Sequence, residues 1–370
     1  MRYLRHITNA PLTLRFALLS FLFSLSVEAS VIFLPLYADS LGASKFEVGL
    51  VAASYGTAYF ASSFIFGRQS DKHGRLIFIR SGLGLSAVAY LLQISALTPM
   101  MLLAVRGLVG FCLGITSAAL MAYVYNAEGQ VGRFSSYGSL GWLFGAVAAA
   151  ATRNYTALFV ISAIASALAF CLSFTLREER TKRLQTAAFP VALIWTNRRI
   201  YLPFFLRCLG SSAVWAIFSL FLVSIGASKL WVAILEGINM GGQFIAMRFI
   251  ERFNTATMFR VGLLTSVITF AMYGIATHYL QLVPAQVVLA ISWSCLFVGG
   301  LSLLLQRNAE HGTAAGLLYS TIYLSASIGP LIGGVISQLW GFDTLMYVAS
   351  GLTLIGTMLS LGLSSSASAK

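Results

Sequence analysis

The chain has 370 residues, of which 58% are hydrophobic and only 9% charged, with a mean hydropathy of +0.84. A soluble domain carries about 25% charged residues to cover its surface, so this composition excludes a water-borne globule and a disordered chain. The net charge of +13 lies in short segments between apolar runs, the placement that orients a membrane protein and not that of a nucleic-acid binder.

At the N-terminus, Arg2 and Arg5 precede an apolar stretch that reaches Val27-Glu28-Ala29-Ser30, a loose likeness of a cleavage site. Arg15 intervenes and apolar character continues through Tyr37, so a retained first helix is expected rather than a signal peptide. A spanning helix needs about 20 mostly apolar residues. Such runs occur at 16–38, 46–66, 76–97, 99–123, 137–152, 155–176, 200–224, 230–250, 259–277, 282–304, 313–337 and 344–363. The run at 137–152 is short and glycine-rich. Cys112, Cys171, Cys208 and Cys295 each fall inside an apolar run and read as small buried hydrophobes, with no disulfide framework.

With the N-terminus taken as cytoplasmic, one side collects Arg68, Lys72, Arg75, Arg80, Arg133, the basic residues of 177–199, Arg248, Arg252, Arg260 and Arg307. The other side holds only Lys45, Arg153 and Lys229. That asymmetry predicts a multi-pass protein of the cell membrane with both termini cytoplasmic.

The chain also repeats itself. Leu41-Gly42-Ala43-Ser44-Lys45 recurs as Ile225-Gly226-Ala227-Ser228-Lys229, an offset of 184. Leu97-Thr98-Pro99 recurs as Leu282-Val283-Pro284, and Asn126-Ala127-Glu128 as Asn308-Ala309-Glu310. Parallel repeats of this kind build a central cavity between two rocking halves. The expected fold is therefore an all-α membrane protein of twelve transmembrane helices in two pseudo-symmetric six-helix bundles. Its bounds are 1–176 for the first bundle, 177–199 for a cytoplasmic linker and 200–370 for the second.

Between the second and third runs stands Gly67-Arg68-Gln69-Ser70-Asp71-Lys72-His73-Gly74-Arg75. This resembles the signature loop of the major facilitator superfamily, G-x-x-x-D-[RK]-x-G-[RK]-[RK], with Leu76 at the final basic position. The resemblance implies a gating latch formed by Gly67, Asp71, Lys72, Gly74 and Arg75. A solvated turn with orienting charges is the plainer alternative. The equivalent loop of the second half, Glu251-Arg252-Phe253-Asn254, lacks the glycines and the aspartate. Leu103 to Gly110, around Arg106, resembles the family's fourth-helix motif, with Val109 in place of the usual glutamine. Gly138, Gly141 and Gly145 surround Trp142, which stands where the antiporter-type motif has proline; Gly329, Pro330, Gly333 and Gly334 carry that pattern in the other half. Helix packing alone accounts for most of these glycines.

Glu28, Arg106, Arg207 and Glu236 are ionisable residues inside apolar spans. Each costs at least about 2.5–3.5 kcal/mol at a helix centre, which marks each as a candidate functional residue. Similar depth makes Glu28 and Arg106 a candidate ion pair; Arg207 either serves the cavity or snorkels. Glu236, Asn239 and Gln243 share one helix face, as do Ser20, Ser24 and Glu28. Ser212, Trp215 and Ser219 share a third face, and Tyr319 and Tyr323 a fourth. These stripes are expected to line a watery substrate cavity, although packing would explain the aromatics.

A carboxylate that alternates between an apolar surrounding and a guanidinium can take up and release a proton. Glu28 is thus the first candidate for proton coupling, with Arg106 as its modulator and Glu236 second. A first-span glutamate with a fourth-span arginine resembles the drug/proton antiporters of the superfamily. A proton-coupled uptake symporter for a sugar or nucleoside could use the same groups in the opposite sense, and Trp142 favours it. A non-transporting receptor or assembly factor is the alternative of another class. His6, His73, His278 and His311 are scattered and no P-loop is present, so neither an enzyme nor direct ATP drive is expected. The expected partners are a small solute, protons and the bilayer, for a monomer without cofactor, metal or nucleic acid.

Overall fold

The computed structural model describes residues 10–128, 131–177, 191–250, 253–308 and 311–363. Fourteen helices run through the described residues, which contain no strand. In chain order they are α1 (Ala10–Val31), α2 (Leu34–Ser40), α3 (Lys45–His73), α4 (Arg75–Leu92), α5 (Pro99–Glu128), α6 (Val131–Thr152) and α7 (Tyr155–Ser173). Then come α8 (Val191–Thr196), α9 (Arg198–Trp215), α10 (Phe218–Ser224), α11 (Lys229–Phe249), α12 (Thr255–Gly274), α13 (Leu282–Arg307) and α14 (His311–Ser360). Eight segments are long and apolar enough to cross a bilayer, and the bent pair α9–α10 makes nine. α14 divides at Gly341, where φ is +85°. With that division and with α3 and α6, the rods match the twelve apolar runs. α6 begins six residues before the expected 137, because Val131 to Ser136 already hold helical geometry.

Two of the spans are broken at equivalent places. The first breaks at Ile32–Phe33, where the ring of Pro35 would meet the carbonyl of Val31 in a continuous helix. The seventh breaks at Ala216–Ile217 with a bend of 53°, although it has no proline there. The offset between the breaks is the same 184 residues that separates the repeated Gly-Ala-Ser-Lys turns.

Those turns are built alike. Gly42 and Gly226 have φ of +87° and +92°, a region open to glycine and costly for other residues. The amide of Ala43 donates to the Ala38 carbonyl at 3.1 Å, and that of Ala227 to Leu222 at 2.9 Å. These bonds close the preceding helix in the manner of a Schellman turn. The hydroxyls of Ser44 and Ser228 then cap the next helix, accepting from the amides of Glu47 and Trp231.

The two bundles share an apolar core at one end, and each has its own at the other. At the end carrying Lys45 and Lys229, a single apolar cluster takes in Ile32, Phe33, Leu34 and Val51 together with Ile217, Phe218, Leu222 and Leu345. At the end carrying Arg75 and Arg307, each bundle has its own core, around Phe16, Ile79 and Leu120 in the first half and Phe204, Phe259 and Leu304 in the second. Burial at the Lys45 end thus holds the halves together, while toward the Arg75 end polar contacts join them: Ser139 Oγ donates to Met247 Sδ at 3.8 Å, and the Arg248 guanidinium carbon lies 5.8 Å from the centre of the Tyr137 ring.

Candidate functional site

α3 lies against α14, and their seam is tight because two glycines admit backbone contact. A Cβ on Gly56 would collide with Ala326, and one on Gly49 with the carbonyl of Pro330. At the tip of the seam, Lys45 Nζ donates to the Ser337 carbonyl at 3.2 Å and sits 4.2 Å from the centre of the Phe342 ring. On the opposite seam Lys229 Nζ lies 4.1 Å from the ring centre of Tyr155. Each repeated lysine therefore reaches from its own half to an aromatic ring of the other.

The second seam is α6 against α11, where Gly237 and Gly241 face Leu143 and Ala146. The opposite side of α6 carries Gly138, Gly141 and Gly145, and these press on α1. Gly138 faces Ser20 and Ser24, Gly141 the backbone of Phe21, and Gly145 the side chain of Glu28. The serine stripe of the first span is thus a packing face and does not line water; Ser20, Ser24 and Glu28 are 3%, 8% and 6% exposed. Ser20 closes this contact by donating to the Phe134 carbonyl at 2.8 Å. Ser212 likewise packs on Gly329, and Gly333 abuts the backbone of Ala213, so these residues join α9 to α14.

Glu28 and Arg106 do not pair. The Arg106 guanidinium donates to Gln93 Oε1 at 3.1 Å and to Ser30 Oγ at 3.3 Å, and it lies 4.5 Å from the centre of the Tyr55 ring. Arg207 is held in a similar manner in the other half. It donates to Ser266 at 3.1 Å and Ser211 at 3.3 Å, with Trp293 at 4.9 Å from its guanidinium carbon. At 3% exposure it does not snorkel. Both arginines thus rest on hydroxyls and aromatic faces within their own bundles.

The carboxylates are elsewhere. Glu28 Oε1 is buried without a hydrogen-bond partner among the described residues. Among the described residues, Glu236 of the opposite half lies within electrostatic reach of Glu28. Glu236 shares its face of α11 with Asn239 and Gln243, both buried, and Gln243 Nε2 donates to Asn239 Oδ1 at 3.0 Å. Trp215 packs edge-on against Phe218 at 4.7 Å, while Tyr319 meets Phe297 at 5.8 Å. Tyr323 stacks on Tyr59. Among these neighbours Gln93, Tyr55 and Tyr59 were not singled out from the sequence, because a lone glutamine or tyrosine in an apolar run carries no pattern.

Of the signature loop, Gly74 has φ of +96° and forms the entire joint between α3 and α4. The side chains of Asp71 and Lys72 and the surroundings of Gly67 lie outside the described residues, as does the linker residue Lys182.

The profile of the Major Facilitator Superfamily matches residues 16–240 and again 204–368. The chain belongs to that superfamily. A major facilitator is a secondary membrane transporter of small solutes, and this chain is one. The multidrug resistance protein MdtG of Klebsiella pneumoniae (strain 342) is 24% identical over 360 residues, covering 89% of this chain and 87% of that protein. Among solved structures, the human organic anion transporter MFSD10 (TETRAN) superposes with a TM-score of 0.76 at 19% identity, covering 94% of this chain and 98% of that one. The nucleoside transporter NupG superposes with a TM-score of 0.74 at 15% identity, covering 94% and 97%. At such identities the structural likeness speaks for the fold.

Proposed function

We propose that this superfamily member exchanges a lipophilic solute for protons by alternating access, with Glu28 and Glu236 as the proton-carrying pair. The observation that supports the reading is the placement of two buried carboxylates, one from each half, within reach of one another. Burying an unpaired carboxylate in its charged form is costly, and a proton removes that cost. Parting the two halves would separate the carboxylates and wet them, so proton release follows from the rocking motion itself. Arg106 and Arg207 act at a distance, since each is bound within its own bundle. Likeness to a multidrug resistance protein supports a lipophilic solute and outward movement. On the charge asymmetry of the loops, the Lys45 end is extracellular, both termini are cytoplasmic, and the apolar core shared by the halves closes the extracellular end. Asp71 and its loop form the latch that shuts the opposite end in the other state. The transporter works as a monomer.

Uptake symport of a nucleoside or sugar is the second reading, favoured by Trp142 at the position of the antiporter proline. Proteoliposomes with a trapped pH dye distinguish the two. Under an imposed proton gradient, wild type should accumulate ethidium with a matching proton flux. Glu28→Gln and Glu236→Gln should lose this accumulation and retain downhill movement. Accumulation at wild-type levels in both variants would end the carboxylate reading, and proton flux driven by uridine instead of ethidium would establish uptake.

A further inference from the structure

Among the contacts between the halves that proton coupling does not use, one is a pair of stacked rings. Tyr59 on α3 and Tyr323 on α14 stack with ring centres 3.8 Å apart and planes 20° from parallel. The Tyr323 hydroxyl donates to that of Tyr59 at 2.6 Å. Tyr59 is 2% exposed, whereas Tyr323 is only partly buried. The pair lies about 21 Å along α3 from Lys45, near mid-depth. On its Lys45 side the seam is closed by Gly49 and Gly56 against Pro330 and Ala326; toward the Arg75 end, Gly316 of α14 has open space beside it. The two rings thus meet across the interface of the halves, next to the closed part of the seam.

We propose that Tyr59 and Tyr323 form a slot for a planar aromatic ring, which slides between them as the halves part. The inference rests on the alternating-access reading and adds the class of solute. Because the rings belong to opposite halves, the rocking motion alone widens the slot. A separation of about 7 Å, twice a van der Waals stacking distance of about 3.5 Å, admits one ring. Parting strips each tyrosine of its stacked face, and a flat π-system restores both faces at once, which an aliphatic ligand of equal size does not. The two hydroxyls lose their mutual bond in the same step and become free to bond a polar edge of the ligand. Further rings continue from the slot into both halves: Tyr55 lies 5.7 Å from Tyr59, and Tyr319, one turn from Tyr323, meets Phe297, which stacks on Trp293 at 5.4 Å. The slot carries no charge of its own, so it reads the flatness of the ring.

The test compares 2-naphthol with decahydro-2-naphthol, which share a carbon skeleton and one hydroxyl and differ in planarity. Binding to the purified protein in detergent is measured by calorimetry, with protein-free micelles subtracted and no proton gradient, so the result does not depend on Glu28 or Glu236. Wild type should bind 2-naphthol at least tenfold more tightly than its saturated analogue. Tyr59→Leu and Tyr323→Leu should each bring the ratio below threefold, while Tyr59→Phe, which keeps the ring, retains it. Phe144→Leu, at a 50% exposed ring away from the slot, should also retain it. Equal binding of the two probes by wild type, or a preference that survives in both leucine variants, would overturn the slot and leave the tyrosines as a static seal.

Discussion

Replacing Lys45 and Lys229 together by methionine removes the two cations that clasp the halves while keeping their apolar stems in place. Each ammonium lies just over 4 Å from a ring of the opposite half, 4.2 Å for Lys45 and 4.1 Å for Lys229. Both lysines are half-buried, where a cation–π contact is worth about 0.5–1 kcal/mol. Lys45 also donates to the Ser337 carbonyl at 3.2 Å, adding about 1 kcal/mol. The double variant should therefore lose about 2–3 kcal/mol of preference for closure at this end. At 1.4 kcal/mol per factor of ten, that shifts the closed-to-open ratio by about thirty- to a hundred-and-forty-fold. The shift is readable by pulsed electron spin resonance between labels at Ser40 and Ser224, exposed residues at the tips of α2 and α10. Cys171, which is exposed, must first be replaced by serine. A new population at longer distance is expected in the double variant and a smaller one in each single variant. A distance distribution identical to wild type would refute the clasp.

Two other substitutions probe the contacts below the clasp. A Cβ on Gly145 would stand 2.7 Å from the Cβ of Glu28 and 3.1 Å from the amide nitrogen of Ala29. Gly145→Ala should therefore cost about 1–3 kcal/mol by overpacking α1 against α6, seen as a lower thermal midpoint in detergent together with reduced proton-coupled flux. Asp71→Asn should cut transport sharply while folded protein persists in the membrane, because the latch proposed for this loop rests on that charge. Wild-type flux in that variant would reduce the loop to a turn that orients the chain.

The repeat was legible in the sequence because turns are specified locally: a glycine at positive φ, then a capping serine, then a helix. Its consequences extend further than the motif, since the breaks in the first and seventh spans obey the same offset. Pro35 signals the first break, while nothing at Ala216–Ile217 signals the second, so both spans read as continuous. The Glu28–Arg106 pair failed for a related reason. Depth along a straight rod says nothing of rotation, and Ser30, which receives Arg106, lies about 200° around the helix from Glu28. The serine stripe of α1 and the glycine stripe of α6 were each visible, but only tertiary packing shows that they are the two sides of one contact. Glu236 was found by its cost in lipid; that it is within electrostatic reach of Glu28 is a property of the assembled bundles.

The apolar cluster shared at the Lys45 end carries a thermal consequence. Parting that end puts Ile32, Phe33, Phe218 and Leu222 in contact with water, and wetting apolar surface raises the heat capacity. The free energy that separates the two faces of the cycle is therefore a curve in temperature, not a line. Apolar cohesion weakens on cooling, so cold relaxes this closure from within, without any change in solute, proton or membrane. A transporter sealed in this way keeps its resting face by the warmth of its surroundings as well as by its clasps.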